Sequence, residues 1–281
     1  MSRVAGKVAF ITGAARGQGR AHAVGLAEEG ADIIAVDICR DVETVPYPGA
    51  TEDDLKHTAK LVEETGRRIV PVVADVRDLS ALGAAVAEGV TTLGRIDIAI
   101  ANAGICTFGS ALELDEQSWQ TMLDVNVTGV WKTVKAVAPA MIGSGRGGSV
   151  VLVSSIAGLV AYPNLAHYVV AKHAVTGLMR ALAVEFAPHA IRVNSVHPGT
   201  VDTPMVRNQQ SWNLFTGVDG ATPDQAAETL MGLNALRVSW LEAADITPAI
   251  IYLASEESRY VTGTTTVVDP GSLLPFKIPH G

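Results

Sequence analysis

Two hydrophobic patterns alternate along this chain. Short unbroken apolar runs rich in valine and isoleucine read as strands buried on both faces; longer stretches with apolar residues every three or four positions read as helices. Strand-like runs fall at 7–13, 31–37, 67–76, 96–101, 148–153, 191–196 and 264–269. Helical spacing fills 19–30, 51–66, 80–93, 116–142, a stretch from Tyr168 through Leu182, and 245–254. With no repeat or linker, this predicts a single α/β domain over 1–281. Its core is a Rossmann-type doubly wound parallel sheet of about seven strands, with helices on both faces.

Two stretches break the rhythm. Residues 38–51 lack any period and hold Pro46 and Pro48, where connections are usually about 2–6 residues long. They read as an insertion whose Ile38, Val42, Val45 and Tyr47 have something to bury. Residues 203–240 are loosely helical, with Met205, Trp212, Leu214, Phe215, Met231, Leu233, Leu236 and Trp240 at irregular intervals. A core helix would need a regular period, so a substrate lid is expected there. The tail at 273–280 is apolar but broken by prolines.

The first strand runs into Gly13-Ala14-Ala15-Arg16-Gly17-Gln18-Gly19 and then a helix, and the second strand ends on Asp37. Glycines in such a turn allow close backbone approach to a pyrophosphate seated at a helix N-terminus. Asp37 is placed to accept hydrogen bonds from an adenosine ribose and to repel a 2′-phosphate, which favours NAD over NADP. The insertion leaves the sheet directly after Asp37 and is expected to fold over the adenine end of that cofactor.

A second constellation lies at the end of the fifth strand. Ser154 and Ser155 close it, and Tyr168 and Lys172 stand one helical turn apart on the next helix. An ammonium near a phenol lowers the phenol's pKa, and a phenol so tuned serves as a general base toward an alcohol. His167 and His197 read as structural or pocket-lining. Cys106 can border the pocket but has no partner that would make it a nucleophile.

Composition narrows the function. The formal net charge is −8 and the longest basic run is Arg67-Arg68, which speaks against nucleic acid and anionic membranes as partners. The two cysteines, Cys39 and Cys106, form no metal or disulfide pattern. No apolar run reaches the ~20 residues of a membrane span. No signal peptide is visible, and a reducing cytoplasm fits.

Taken together, Thr12 to Gly19, Asp75-Val76, Asn102-Ala103-Gly104, Asn126, Ser155, Tyr168 with Lys172, and Pro198-Gly199 resemble the short-chain dehydrogenases/reductases of the single-domain type. The resemblance covers essentially the whole chain. The spacing to Tyr168 selects Ser155 over Ser154. Gln18 departs from the family's usual aliphatic residue. With the insertion, it resembles the actinobacterial carveol dehydrogenase, or mycofactocin-coupled, subgroup. The resemblance implies that Asn126, Ser155, Tyr168 and Lys172 are catalytic: Ser155 binds the substrate oxygen and Tyr168 takes the hydroxyl proton. By the same resemblance Lys172 binds the nicotinamide ribose, and Asn126 holds a water in a proton path. It implies that NAD is held by Gly13, Arg16, Gly17, Gln18, Gly19, Asp37, Ile38, Asp75, Val76, Asn102, Ala103, Gly104, Tyr168, Lys172, Pro198, Gly199, Val201 and Thr203, without a metal. The implied substrate is a small apolar secondary alcohol or ketone, cyclic or terpenoid among the candidates. The implied assembly is a homotetramer, in which an external redox carrier reoxidises enclosed NADH. Three alternatives stand: a non-catalytic NAD-sensing protein, a reductase of another carbonyl class, and an extended-type sugar-nucleotide epimerase. The last is disfavoured because the chain lacks its extra substrate domain.

Overall fold

The apolar runs pair into one parallel sheet in the computed structural model of the protein, which describes residues 2–274. The strands are β1 (Val8–Thr12), β2 (Asp32–Asp37), β3 (Ile69–Val73), β4 (Ile98–Ala101), β5 (Gly148–Val153), β6 (Ile191–Pro198) and β7 (Thr265–Val268). Their order is β3-β2-β1-β4-β5-β6-β7. Every residue of β1, β2 and β4 is buried, which is why those runs are continuously apolar. Pro71 lies in β3, an edge strand, where a missing N–H costs no ladder bond to a further strand. Part of the tail noted above, from Pro275 onward, lies outside the described residues.

The helices are α1 (Gly17–Glu28), α2 (Glu52–Glu64), α3 (Leu79–Leu93), α4 (Glu116–Leu123), α5 (Val130–Ser144), α6 (Ala166–Phe186), α7 (Gln209–Thr216), α8 (Pro223–Leu233) and α9 (Ala243–Ala254). On one face of the sheet, Leu26, Leu55 and Ile250 of α1, α2 and α9 pack with Ile11, Ile33 and Val151. On the other, Leu82, Val134 and Met179 of α3, α5 and α6 pack with Phe10, Ile34 and Val150. Strand order reverses between β1 and β4, which opens a crevice beyond their carboxyl ends.

Three local features bear on the site. The helical stretch read at 116–142 is not uniform: a π-helical turn, Asp124–Gly129, joins α4 to α5 and contains Asn126. Such turns widen a helix by one residue and cluster at functional positions. The insertion has no helix or strand but is tied down. Arg16 donates to the carbonyls of Pro48 and Gly49, Asp41 accepts from Gly49 N–H at 2.7 Å, and Val42 and Val45 pack on the core. The 203–240 stretch resolves into α7 and α8, capped by the Asn208 and Thr222 side chains.

Candidate active site

Close packing defines the glycine turn. Gly13 and Gly17 have φ of +67° and +54°, a left-handed backbone that favours glycine. A Cβ on Gly19 would stand 1.9 Å from the Gly13 carbonyl oxygen, so no side chain fits there. Asn102 locks the turn from β4, donating through Nδ2 to the carbonyls of Thr12 at 2.9 Å and Gly13 at 3.2 Å. The α1 N-terminus carries no side-chain cap and no acid in its first turn, whereas α2, α3, α4, α7 and α8 are all capped. Uncapped N–H groups beside a glycine turn suit an anion, and a pyrophosphate fits this cradle.

The cradle forms one end of a cavity. Gly13, Arg16, Gly17, Gln18, Gly19, Asp37, Ile38, Asp75, Val76, Asn102, Ala103, Gly104 and Thr203 line it, together with Val42, Val45 and Tyr47 of the insertion. Asp37 is buried, and its carboxylate accepts from Ala15 N–H at 2.9 Å and Cys39 N–H at 3.1 Å. It is therefore not an exposed strand-end acid. Burial works against a charge on Asp75, but hydrogen bonds from Arg77 and from Arg40 of the insertion outweigh it and hold that carboxyl below its usual range.

A second cavity adjoins the first, and Gln18, Thr203 and Met205 line both. Ser155, Tyr168, Pro198, Gly199 and Val201 face this second space. Much of the rest is apolar: Phe108, Ile156, Leu165, Val206, Leu214 and Phe215. Of the apolar residues noted at 203–240, Met205, Leu214, Phe215 and Leu233 reach it. Trp240 instead stacks under the Arg207 guanidinium, 3.6 Å from its ring centroid. The Gln18 Oε1 atom is buried without a hydrogen-bond partner at the junction of the two spaces.

Lys172 and Asn126 stand behind this wall. The Lys172 Nζ donates to the Val153 carbonyl at 3.1 Å and lies 5.6 Å from the Tyr168 ring centroid. A Cβ on Gly104 would stand 3.2 Å from Asn126 Oδ1 and 3.6 Å from Lys172 Nζ, so this glycine keeps the space beside both open. The expected lowering of the Tyr168 phenol does not occur in the protein alone. Burial pushes the phenol up, a hydrogen bond with Ser155 only partly opposes it, and burial pulls the Lys172 amine down to about 8. Asn126 is fully engaged: its Oδ1 accepts from Ile105 N–H and its Nδ2 donates to the Ile105 carbonyl, both at 2.8 Å.

The remaining candidates are structural. Ser154 Oγ donates to the Lys172 carbonyl at 2.9 Å. His167 is buried against Thr107 at 2.6 Å, and burial lowers its pKa. Burial also pushes the Cys106 thiol up to about 12, which removes it as a thiolate nucleophile. Among the described residues no group of three or more His, Cys, Asp or Glu could hold a metal, and no helix is long and apolar enough to cross a membrane.

The pattern of the short chain dehydrogenase family matches residues 7–214. The chain belongs to the short-chain dehydrogenases. It is 48% identical over 276 residues to the (-)-trans-carveol dehydrogenase of Rhodococcus erythropolis, covering 98% of this chain and 100% of that one. Its fold matches that of a carveol dehydrogenase from Mycobacterium avium in complex with NAD, with a TM-score of 0.95 at 54% identity over 98% of this chain and 100% of the other. A short chain dehydrogenase from Mycobacterium paratuberculosis bound to NAD follows at a TM-score of 0.87 and 46% identity, over 96% and 98%. In this dehydrogenase, sequence reasoning missed Phe108, Tyr162 and Leu165. They lie in irregular loops whose composition carries no period.

Proposed function

We propose that this protein is an NAD-dependent dehydrogenase that interconverts an apolar secondary alcohol and its ketone, with a cyclic terpenoid alcohol of the carveol kind as substrate. The observation that carries it is the meeting of two cavities. One is a glycine-walled cradle at an uncapped helix end, and the other is an apolar space with the Ser155 and Tyr168 hydroxyls on its wall.

Bound in the cradle, NAD supplies a hydride acceptor with a cationic ring when oxidised. Gly13, Gly17, Gly19 and the α1 N-terminus hold its pyrophosphate. Asp37 takes the adenosine ribose, and Ile38, Asp75, Val76, Asn102, Ala103 and Gly104 flank the adenosine half. Pro198, Gly199, Val201 and Thr203 bound the nicotinamide end. Ser155 donates to the substrate oxygen and Tyr168 takes the hydroxyl proton. Lys172, with its pKa near 8, is the next proton-carrying group inward. Asn126 positions the Gly104-Ile105 turn through its side chain. Arg16 ties the insertion down over the cofactor.

Residues 203–240 act as the substrate lid, supported by Met205, Leu214, Phe215 and Leu233 on the cavity wall. The assembly is a homotetramer joined through the outer faces of α4, α5 and α6, where Trp119, Trp131, Val170 and Val184 are exposed. An external redox carrier reoxidises NADH in place, a reading supported by the insertion that walls the cofactor cavity. Cytoplasmic residence fits the two unpaired cysteines.

The test is to add carveol and other cyclic secondary alcohols to the protein with NAD and follow the absorbance of reduced nicotinamide. Turnover that depends on Tyr168 supports the reading. NAD bound without reduction by any alcohol would instead favour a nucleotide-sensing protein.

A further inference from the structure

We infer that His197 is a positioning residue that sets the Ser155 hydroxyl against substrate by holding the Ser155 backbone carbonyl. The inference rests on the role proposed above for Ser155.

Three successive residues at the end of β5 are each tied down. The Val153 carbonyl accepts from Lys172 Nζ at 3.1 Å, and Ser154 Oγ donates to the Lys172 carbonyl at 2.9 Å. The sheet's own reach ends at Ser154, whose N–H donates to the Val196 carbonyl at 2.8 Å. Ser155 is one residue further and has no ladder to hold it. Its carbonyl accepts instead from His197 Nδ1 at 2.8 Å and Gly158 N–H at 2.9 Å, filling both lone pairs. Its hydroxyl accepts from Ala157 N–H at 3.1 Å, so carbonyl and side chain belong to one small turn (Ile156–Gly158) and move together.

The ring's chemistry is determined by its surroundings. A carbonyl only accepts, so Nδ1 carries the proton. Nε2 must then accept, and Ser195 Oγ at 2.8 Å is its donor. His197 and Ser195 are both fully buried, and neither lines either of the two cavities described above. His197 therefore cannot touch substrate directly. An aliphatic residue would pack at a strand end flanked by Val196 and Pro198, so the imidazole is explained by its hydrogen bonds rather than by volume.

The experiment compares His197→Leu with His197→Asn, whose amide nitrogen stands close to the Nδ1 position, each with and without Ser155→Ala. Losing one neutral hydrogen bond at this distance from the reacting atoms should lower kcat about three- to tenfold in His197→Leu. KM and NAD affinity should stay within about twofold of wild type, and His197→Asn should recover most of the loss. In the Ser155→Ala background His197→Leu should cost nothing further, because the group it acts through is gone. If His197→Leu does not fold, His197→Gln replaces it, with its amide near the Nε2 position and aimed at Ser195. Equal losses in the Leu and Asn variants, no loss in either, or a loss that multiplies with Ser155→Ala overturns the inference. If Ser155→Ala alone leaves kcat intact, the Ser155 assignment fails instead.

Discussion

With Lys172 one turn away, an isolated helix would hold the Tyr168 phenol low. In the folded protein burial reverses this, pushing the phenol up and drawing the amine down to about 8. An uncharged phenol in the free protein becomes a useful base only when positive charge is brought beside it, and oxidised NAD is such a charge. Tyr168→Phe keeps the ring's packing and removes the proton acceptor. It should cost about 10²–10⁴ in kcat with NAD affinity unchanged, as steady-state rates and nucleotide titration will show. Lys172 has a stability signature of its own. Its folded pKa lies below the ordinary 10.5, so the unfolded chain binds more protons between about 8 and 10.5, and stability rises with pH across that window. Below it, the buried ammonium costs roughly 3 kcal/mol, against ~1 kcal/mol for its bond to Val153. Nucleotide-free Lys172→Met should therefore be more stable than wild type at pH 7, with an advantage that shrinks from pH 8 to 10.5 in urea titrations. Asp37→Asn removes the charge and keeps one acceptor oxygen, so one of the two bonds from Ala15 and Cys39 N–H is lost with it. It should narrow the gap between NAD and NADP affinities, and an unchanged ratio in competitive titrations would contradict the assignment.

The insertion is the element that most changes the cofactor site. Val42 and Val45 pack on the core, and Tyr47 reaches inward until its hydroxyl accepts from Cys106 N–H at 3.2 Å, beside the cavity that Ser155 and Tyr168 line. On the reading proposed above, this segment, anchored at Arg16 and at Cys106, releases both contacts before nucleotide leaves. Replacing it with a turn of about four residues should speed NAD dissociation in stopped flow while changing association little, since affinity differences between related complexes lie mostly in the dissociation rate. Unchanged release would make the insertion a surface loop only. Composition and position mark this element in the sequence: prolines, apolar residues and a start directly after Asp37. The π-helical turn around Asn126 was invisible. Its residues keep helical spacing on both sides, and the added residue is tolerated because Asn126 fastens itself to Ile105.

At the scale of the whole molecule, three buried histidines couple folding to acid. Burial lowers His22 to about 3 and His197 to about 4, and lowers His167 as well. The unfolded chain protonates these groups near 6.5, so their neutral, buried state is fully available above that pH and is lost as pH falls through 6.5 toward 4. The three together should cost on the order of several kcal/mol across that interval. Urea midpoints measured from pH 7 to 4.5 should fall steeply, and His22→Asn should flatten the slope. A midpoint independent of pH in this range would show that these rings find solvent in the native state.

By itself the sequence determined the parallel sheet and the glycine turn, and it marked the candidate site residues. Buried strands need continuous apolar runs, a pyrophosphate cradle needs glycines next to a helix start, and a proton acceptor needs a hydroxyl of the right type. Those demands act over a few residues and leave marks at fixed spacing. Tertiary structure decided what depends on neighbours distant in the chain. It set which way the Tyr168 and Lys172 titrations shift, because burial is a property of the whole fold. It gave Asn102 and Asn126 their backbone partners, and it made the irregular loops with Phe108, Tyr162 and Leu165 into a cavity wall. It also brought His197 of β6 against the carbonyl of Ser155 beyond β5, a contact between neighbouring strand ends that no local pattern encodes.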